Sequence, residues 1–136
     1  MDNPSKNEIR AVCNFVLSNY ADACLSNVTI PNILQNMTNM MLSDPSLLQD
    51  GIKAMMALTN YSEAQLGRLT KKYYNASPHS YLKQLRLQTA WKYVLETDLN
   101  LEEIGLLCGY NCYGYFTVIF KEKYGLSPAE LRKNKL

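Results

Sequence analysis

At an offset of fifty residues the chain resembles itself. KKYYNASPHSYLK, from Lys71, lies over KEKYGLSPAELRK, from Lys121. Lys71 falls on Lys121, Tyr74 on Tyr124, and Ser77-Pro78 on Ser127-Pro128. Asn75 falls on Gly125, and both residue types accept the positive φ that terminates a helix. Upstream, Leu66 falls on Phe116 and Leu69 on Ile119. Each copy therefore reads as a helix, a tight turn, an amphipathic helix, a terminator, and a Ser-Pro start for the next helix. A helix joined to a second by such a turn is a helix-turn-helix unit. A chain with two copies must place both second helices on one scaffold.

The rest of the chain fits around this repeat as helices. Ile9, Val12, Cys13, Val16, Tyr20 and Cys24 recur with a period close to 3.6, which predicts a helix from Glu8 to Leu25. Further helices are expected over Ile33–Leu42, ended near Pro45, and over Leu47–Leu58. Ser62 with Gln65 three residues on marks a start by the capping-box pattern. Ser77-Pro78 opens a long helix reaching about Glu96, with Pro at the first helical position. Asn100 caps Leu101–Leu107, where Glu102 and Glu103 suit the positive end of the dipole. Gly109 turns the chain into the next helix, and Ser127 with Glu130 starts the last one. Nothing reads as a strand. The expected architecture is all-α: two helix-turn-helix subdomains joined by a long linker helix, preceded by an extra N-terminal helix. The divisions are 1–30, then 31–136, the latter split into 31–76, 77–97 and 98–136.

Composition bounds the function. The net charge of +2 hides an asymmetry. Residues 1–50 hold two basic and five acidic side chains, a net of −3, whereas residues 51–136 hold twelve and seven, a net of +5. The positive charge lies with the repeat, as a polyanion partner requires. No apolar run is long enough to span a bilayer, and the start MDNPSKNEIR has no apolar signal core, so a cytoplasmic location is expected. Cys13, Cys24, Cys108 and Cys112 lack the paired ligand spacing of a structural zinc site and read as idle thiols in a reducing compartment. His79 is the lone histidine, with no acid or nucleophile at a telling spacing, so no catalytic site, metal or cofactor is expected.

Residues 31–136 resemble the tandem helix-turn-helix domain of the AraC/XylS family of bacterial transcription regulators. The second unit carries the family signature in Leu101, Glu103, Ile104, Gly105, Gly109, Tyr110, Cys112, Gly114, Tyr115, Phe116, Val118, Phe120, Lys121, Gly125, Ser127, Pro128, Leu131 and Arg132, with spacing intact. Arg86, Leu87, Ala90 and Val94-Leu95 match the central helix. The first unit is looser, with Thr70 where an aromatic is usual. The resemblance implies duplex DNA as partner, with helices 62–74 and 112–124 entering successive major grooves. It also implies RNA polymerase as a further partner and an N-terminal sensor domain outside this chain. Residues 1–30 fall outside the resemblance; their apolar face suggests a linker to the sensor or a homodimer contact.

Helical spacing then sorts the faces. Leu66, Leu69, Thr70 and Tyr73 point inward in the first unit, and Phe116, Ile119, Phe120 and Tyr124 in the second. Ala64, Gly67, Arg68 and Lys71 point outward in the first. Tyr113, Gly114, Thr117, Val118 and Lys121 do so in the second. By the resemblance these outward positions meet bases or phosphates. Arg68 is the expected base reader, since an arginine donates two hydrogen bonds to guanine, worth ~1–3 kcal/mol of discrimination. The alternative for Arg68 is a solvated surface charge. Lys71, Lys72, Lys121 and Lys123 suit phosphates, as do the amides after Ser62, Ser77 and Ser127. Val118 departs from the family's usual arginine; it and Ala64 can touch a thymine methyl. Tyr113, Tyr115 and Thr117 remain to read the second groove. Cys112 stands where a capping aspartate is usual, so Asn111 is expected to cap. Arg86 is expected to brace the linker helix through Glu103, with a phosphate contact as the other reading. The bare outward faces leave one alternative function, a helical protein-interaction module with a degenerate DNA surface.

Overall fold

The computed structural model describes residues 29–134. The expected helix over Glu8–Leu25, Cys13 and Cys24, and any dimer contact through residues 1–28 lie outside the described residues. Within them there are eight helices and no strand. They are α1 (Asn32–Ser43), α2 (Pro45–Asp50), α3 (Ile52–Thr59) and α4 (Glu63–Tyr74), then α5 (Pro78–Glu96), α6 (Leu101–Leu107), α7 (Tyr113–Tyr124) and α8 (Pro128–Lys133).

The starts follow the expected caps. Ser62, Ser77 and Ser127 each accept a hydrogen bond from the amide three residues on, satisfying one orphan N–H of the first turn. At Ser127 the box is reciprocal, because the Glu130 carboxylate accepts from the Ser127 amide at 3.2 Å. Asn75 (φ 54°) and Gly125 (φ 82°) end α4 and α7 in the left-handed region. The fifty-residue offset is thus kept by α4 and α7 at both ends, and by the starts of α5 and α8.

The sequence predicts one helix over Leu47–Leu58, and two are present. Gly51 separates α2 from α3 at φ 68°, ψ −129°, outside the helical region and open to glycine without penalty. The break turns α2 so that it packs on α6 as well as on α1, α3 and α5.

The long helix α5 serves two cores in sequence. Tyr81, Leu82 and Leu85 pack with Leu34, Met37, Met41, Leu48, Met55 and Leu66. Leu87, Ala90, Trp91 and Val94 pack with Ile104, Cys108, Phe116, Phe120 and Leu131. The first core is aliphatic and rich in methionine, which fills irregular space. Tyr74 and Tyr81 stack across its rim with centroids 4.1 Å apart, and the Tyr81 hydroxyl lies 2.7 Å from Thr38 Oγ1. The second core is aromatic. Phe116 and Phe120 meet edge-on at 5.8 Å, Phe120 and Tyr124 at 4.8 Å, and Trp91 lies over Tyr124 at 4.5 Å. Thr70, the register equivalent of Phe120, is fully buried, and its hydroxyl donates to the Gly67 carbonyl at 3.2 Å. A threonine is tolerated inside because that bond satisfies its polar atom.

Candidate nucleic-acid interface

Two side chains from the second half of the chain set how the units sit. Arg86 leaves α5 at the division between the cores. Its Nε and Nη2 donate to the Leu48 carbonyl at 3.0 and 2.7 Å, and its guanidinium lies 5.4 Å from the Tyr110 ring centre. It therefore braces the linker helix, as the sequence suggested, but through the α2 carbonyl and Tyr110 rather than Glu103. The reason is burial: a half-buried guanidinium needs several acceptors close by, and an α2 carbonyl near the helix end carries partial negative charge. Burial also pulls the Arg86 pKa below its ordinary value, with Tyr110 and Cys108 acting the other way. Gly51 and Gly109, one from each unit, flank the same group. A Cβ on Gly51 would lie 3.1 Å from Nη2, and one on Gly109 only 2.6 Å from Nε. The second brace is Arg132 of α8. It donates to the carbonyls of Val94, Thr97 and Leu99, closing the free C-terminal end of α5. Neither carbonyl set carries a sequence signal.

On α4, Ala64, Arg68, Lys71 and Lys72 are exposed, and Gly67 is half-buried. Arg68 has no ion-pair partner among the described residues, so its five donors are free for a ligand. Lys72 Nζ sits 5.2 Å over the Tyr73 ring. On α7, Tyr113, Gly114, Tyr115, Val118 and Lys121 are exposed, and Thr117 is half-buried. The Thr117 hydroxyl donates to the Tyr113 carbonyl at 2.9 Å, which commits its proton within the helix. Lys121 Nζ lies 3.8 Å from Glu130 Oε1. That pair is exposed on both sides and contributes little to stability, but it sets an acid beside a cation expected to meet phosphate. Glu130 is held below its usual pKa chiefly by the Ser127 hydrogen bonds, with Lys121 adding a smaller effect.

Asn111 does not cap α7. The N-cap is Cys112, without a side-chain hydrogen bond, and Asn111 is exposed in the preceding turn. There it lines an open cleft between α2 and α6 with Gln49, Glu103, Leu106, Leu107 and Gly109. The cap shifts because Cys112 has the extended backbone (φ −111°, ψ 112°) that the N-cap position requires. The two thiols described are free: Cys108 is buried, with its pKa pushed up to about 12 by burial, and Cys112 is exposed.

Glycine at positions 67 and 114 is not required by the fold. A Cβ on Gly67 would meet Pro78 at 3.9 Å, and one on Gly114 would meet Cys112 Sγ at 3.9 Å, both ordinary contacts. Each glycine nonetheless sits in a helix, where it is less favourable than alanine by ~1 kcal/mol.

A tandem pair of helix-turn-helix units on one central helix, with Arg68, Lys71, Lys72 and Lys121 on the outward faces, defines a class of regulators. Residues 55–134, more than half of the chain, match the family model described as a helix-turn-helix domain. The chain belongs to this AraC/XylS-type family of helix-turn-helix transcription regulators. The transcriptional regulator MtrA of Neisseria gonorrhoeae is 34% identical over 82 residues, covering 60% of this chain and 27% of MtrA. ArgR of Pseudomonas aeruginosa is 32% identical over 74 residues, covering 54% of this chain and 22% of ArgR. The probable transcription factor PqrA of Proteus vulgaris is 32% identical over 76 residues, or 56% of this chain and 62% of PqrA. The chain thus spans 22% to 27% of the length of the first two relatives. Among solved structures, the C-terminal domain of AraT, a response regulator from Geobacillus stearothermophilus, superposes with a TM-score of 0.67. It is 24% identical, covering 80% of this chain and 90% of that one. The xylose-binding transcription activator XylR superposes at 0.65 with 21% identity, over 79% of this chain and 28% of its own. Both likenesses bear out the all-α, tandem helix-turn-helix fold. The family is one of transcription regulators rather than enzymes.

Proposed function

We propose that this chain is the DNA-reading part of a bacterial transcription regulator that recognises an asymmetric duplex site. The carrying observation is the recurrence of one helix-turn-helix unit at an offset of fifty, each copy with its apolar side buried and its outer side exposed. On this reading α4 and α7 enter successive major grooves, ~34 Å apart. Residues 31–76 and 98–136 form the two heads, and 77–97 the helix between them. Arg68 leads base reading in the first groove. Tyr113 and Tyr115 are the polar contacts left in the second, Thr117 faces the groove beside them with its hydroxyl turned into the helix, and Ala64, Gly67, Gly114 and Val118 allow close approach. Lys71, Lys72 and Lys121 contact phosphates, and Asn111, at the rim of α7, does the same. Four such cations, with Lys123, give a salt dependence of log Kobs on log salt with a slope of about −3.6. A sensor domain N-terminal to these residues in the whole protein, and contact with RNA polymerase, fit the names and lengths of the relatives. A homodimer through residues 1–30 completes the proposal. The alternative of an interaction module with a degenerate DNA surface is not favoured by relatives named as transcriptional regulators.

The test is a mobility-shift titration on promoter duplexes across a salt series. Arg68→Ala is expected to relax base preference in one half-site, at ~1–3 kcal/mol. Lys121→Ala is expected to weaken all sequences evenly and to reduce the salt slope by about one. Absence of any duplex binding at low salt would refute the reading.

A further inference from the structure

The two heads are built on one template, so equivalent positions can be compared directly. Residue 68 of α4 and residue 118 of α7 are fifty apart and occupy the same place in helices whose ends match. The first is Arg68, exposed and without an ion-pair partner among the described residues. The second is Val118, which at 56% exposure is the most open of the large apolar side chains described. None of the described residues covers Val118, and a β-branched residue is a poor choice for a solvated helix face.

Its neighbours share the character. Tyr113 is 36% exposed and leans on Phe116 with ring centres 6.3 Å apart. Tyr115 is 50% exposed and rests 6.1 Å from Tyr110. Thr117 turns its hydroxyl back onto the Tyr113 carbonyl, which leaves its methyl as the free group. Gly114 adds no side chain. Ahead of Lys121 the outer face of α7 therefore carries no charged donor and no carboxylate acceptor. In the major groove the one apolar feature a base presents is the C5-methyl of thymine.

We infer that the second head reads thymine methyl groups, with Val118 as the side chain that seats against them, while the first head reads hydrogen bonds through Arg68. The inference rests on the DNA reading proposed above and adds to it the kind of base feature each head selects. The two reading helices have matching bounds and differ in chemistry, which makes the site asymmetric even though the protein is an internal repeat. Lys121, at the far end of the same face, holds a phosphate and contributes no choice of base.

Deoxyuridine in place of thymidine isolates the methyl, because pairing and groove hydrogen-bonding groups are unchanged. The full chain is titrated by fluorescence anisotropy against its selected duplex and against duplexes with single thymidine-to-deoxyuridine changes. One or two changes in the second half-site are expected to weaken binding about fourfold each, the worth of one buried methyl group. With Val118→Ala the loss at those positions should largely disappear. In the first half-site the same variant should leave deoxyuridine effects as they were. Circular dichroism of the variant should match the parent, since the residue is exposed. Two results would overturn the inference: no deoxyuridine effect in the second half-site, or an effect that Val118→Ala leaves unchanged. Failure of the underlying DNA reading looks different, since Arg68→Ala and first half-site changes would then also be without effect.

Discussion

Replacing Gly109 by alanine should reveal how firmly Arg86 holds the two units. Two costs are expected, and they are separable. Gly109 sits at φ 100°, where an L-residue is strained by ~1–2 kcal/mol. The new Cβ would also stand 2.6 Å from Arg86 Nε and 2.8 Å from its Cζ and Nη2. The guanidinium cannot step aside without lengthening its two bonds to the Leu48 carbonyl, at 3.0 and 2.7 Å. Such charged hydrogen bonds are worth about 1.5–3 kcal/mol. Gly109→Ala alone should therefore cost about 2.5–5 kcal/mol. In an Arg86→Ala background the clash is gone, and the same change should cost only the backbone strain, ~1–2 kcal/mol. Urea unfolding of the four proteins gives the coupling directly, and it should reach at least ~1.5 kcal/mol. Additive effects, within ~0.5 kcal/mol, would show that the guanidinium does not lie against Gly109 and would remove the brace between the heads.

The other expectations are narrower. Gly67→Ala and Gly114→Ala should each raise stability in urea by ~0.5–1 kcal/mol while weakening duplex binding; a gain in both would mean that nothing approaches these helices closely. Glu130→Gln retains a residue that can complete the capping box but frees Lys121 of its acid, so duplex affinity should rise about two- to threefold, and unchanged binding would place Lys121 away from phosphate. In the folded chain near pH 8, alkylation mapped by mass spectrometry should mark Cys112 and spare Cys108, whose thiol burial holds protonated up to about 12. Labelling of Cys108 at the same rate would contradict a closed second core.

The repeat and the caps made most of the fold readable, for physical reasons. Ser-Pro starts, Asn75 and Gly125 act through local backbone chemistry, so their meaning survives without a structure. The inward stripes of α4 and α7 were equally plain, because helical period alone decides them. What failed to show depended on contacts across the chain. Gly51 looked like an ordinary position inside a helix, since its positive φ serves a packing of α2 on α6 that no local signal announces. Arg86 was recognisable as a brace, but its acceptor is a backbone carbonyl at Leu48, which any residue type would supply. Arg132 matched the family signature without revealing that it closes the end of α5. Residue type alone favours Asn111 as the cap, whereas the backbone angles of Cys112 decide the matter. The outward residues were found by the same period that found the core. Glu130 beside Lys121 was not, because it belongs to α8 and arrives through the turn at Gly125.

Selection of the full chain against a randomised duplex library at moderate salt, followed by sequencing, is the most direct measure of the central claim. Two heads held at one spacing by α5, the Arg86 brace and the α2–α6 contact should enrich two unlike half-sites with centres about one helical turn, ~10 base pairs, apart. Enrichment of a single short half-site, or of half-sites at freely varying spacing, would contradict a rigid pair of reading helices on one side of the duplex.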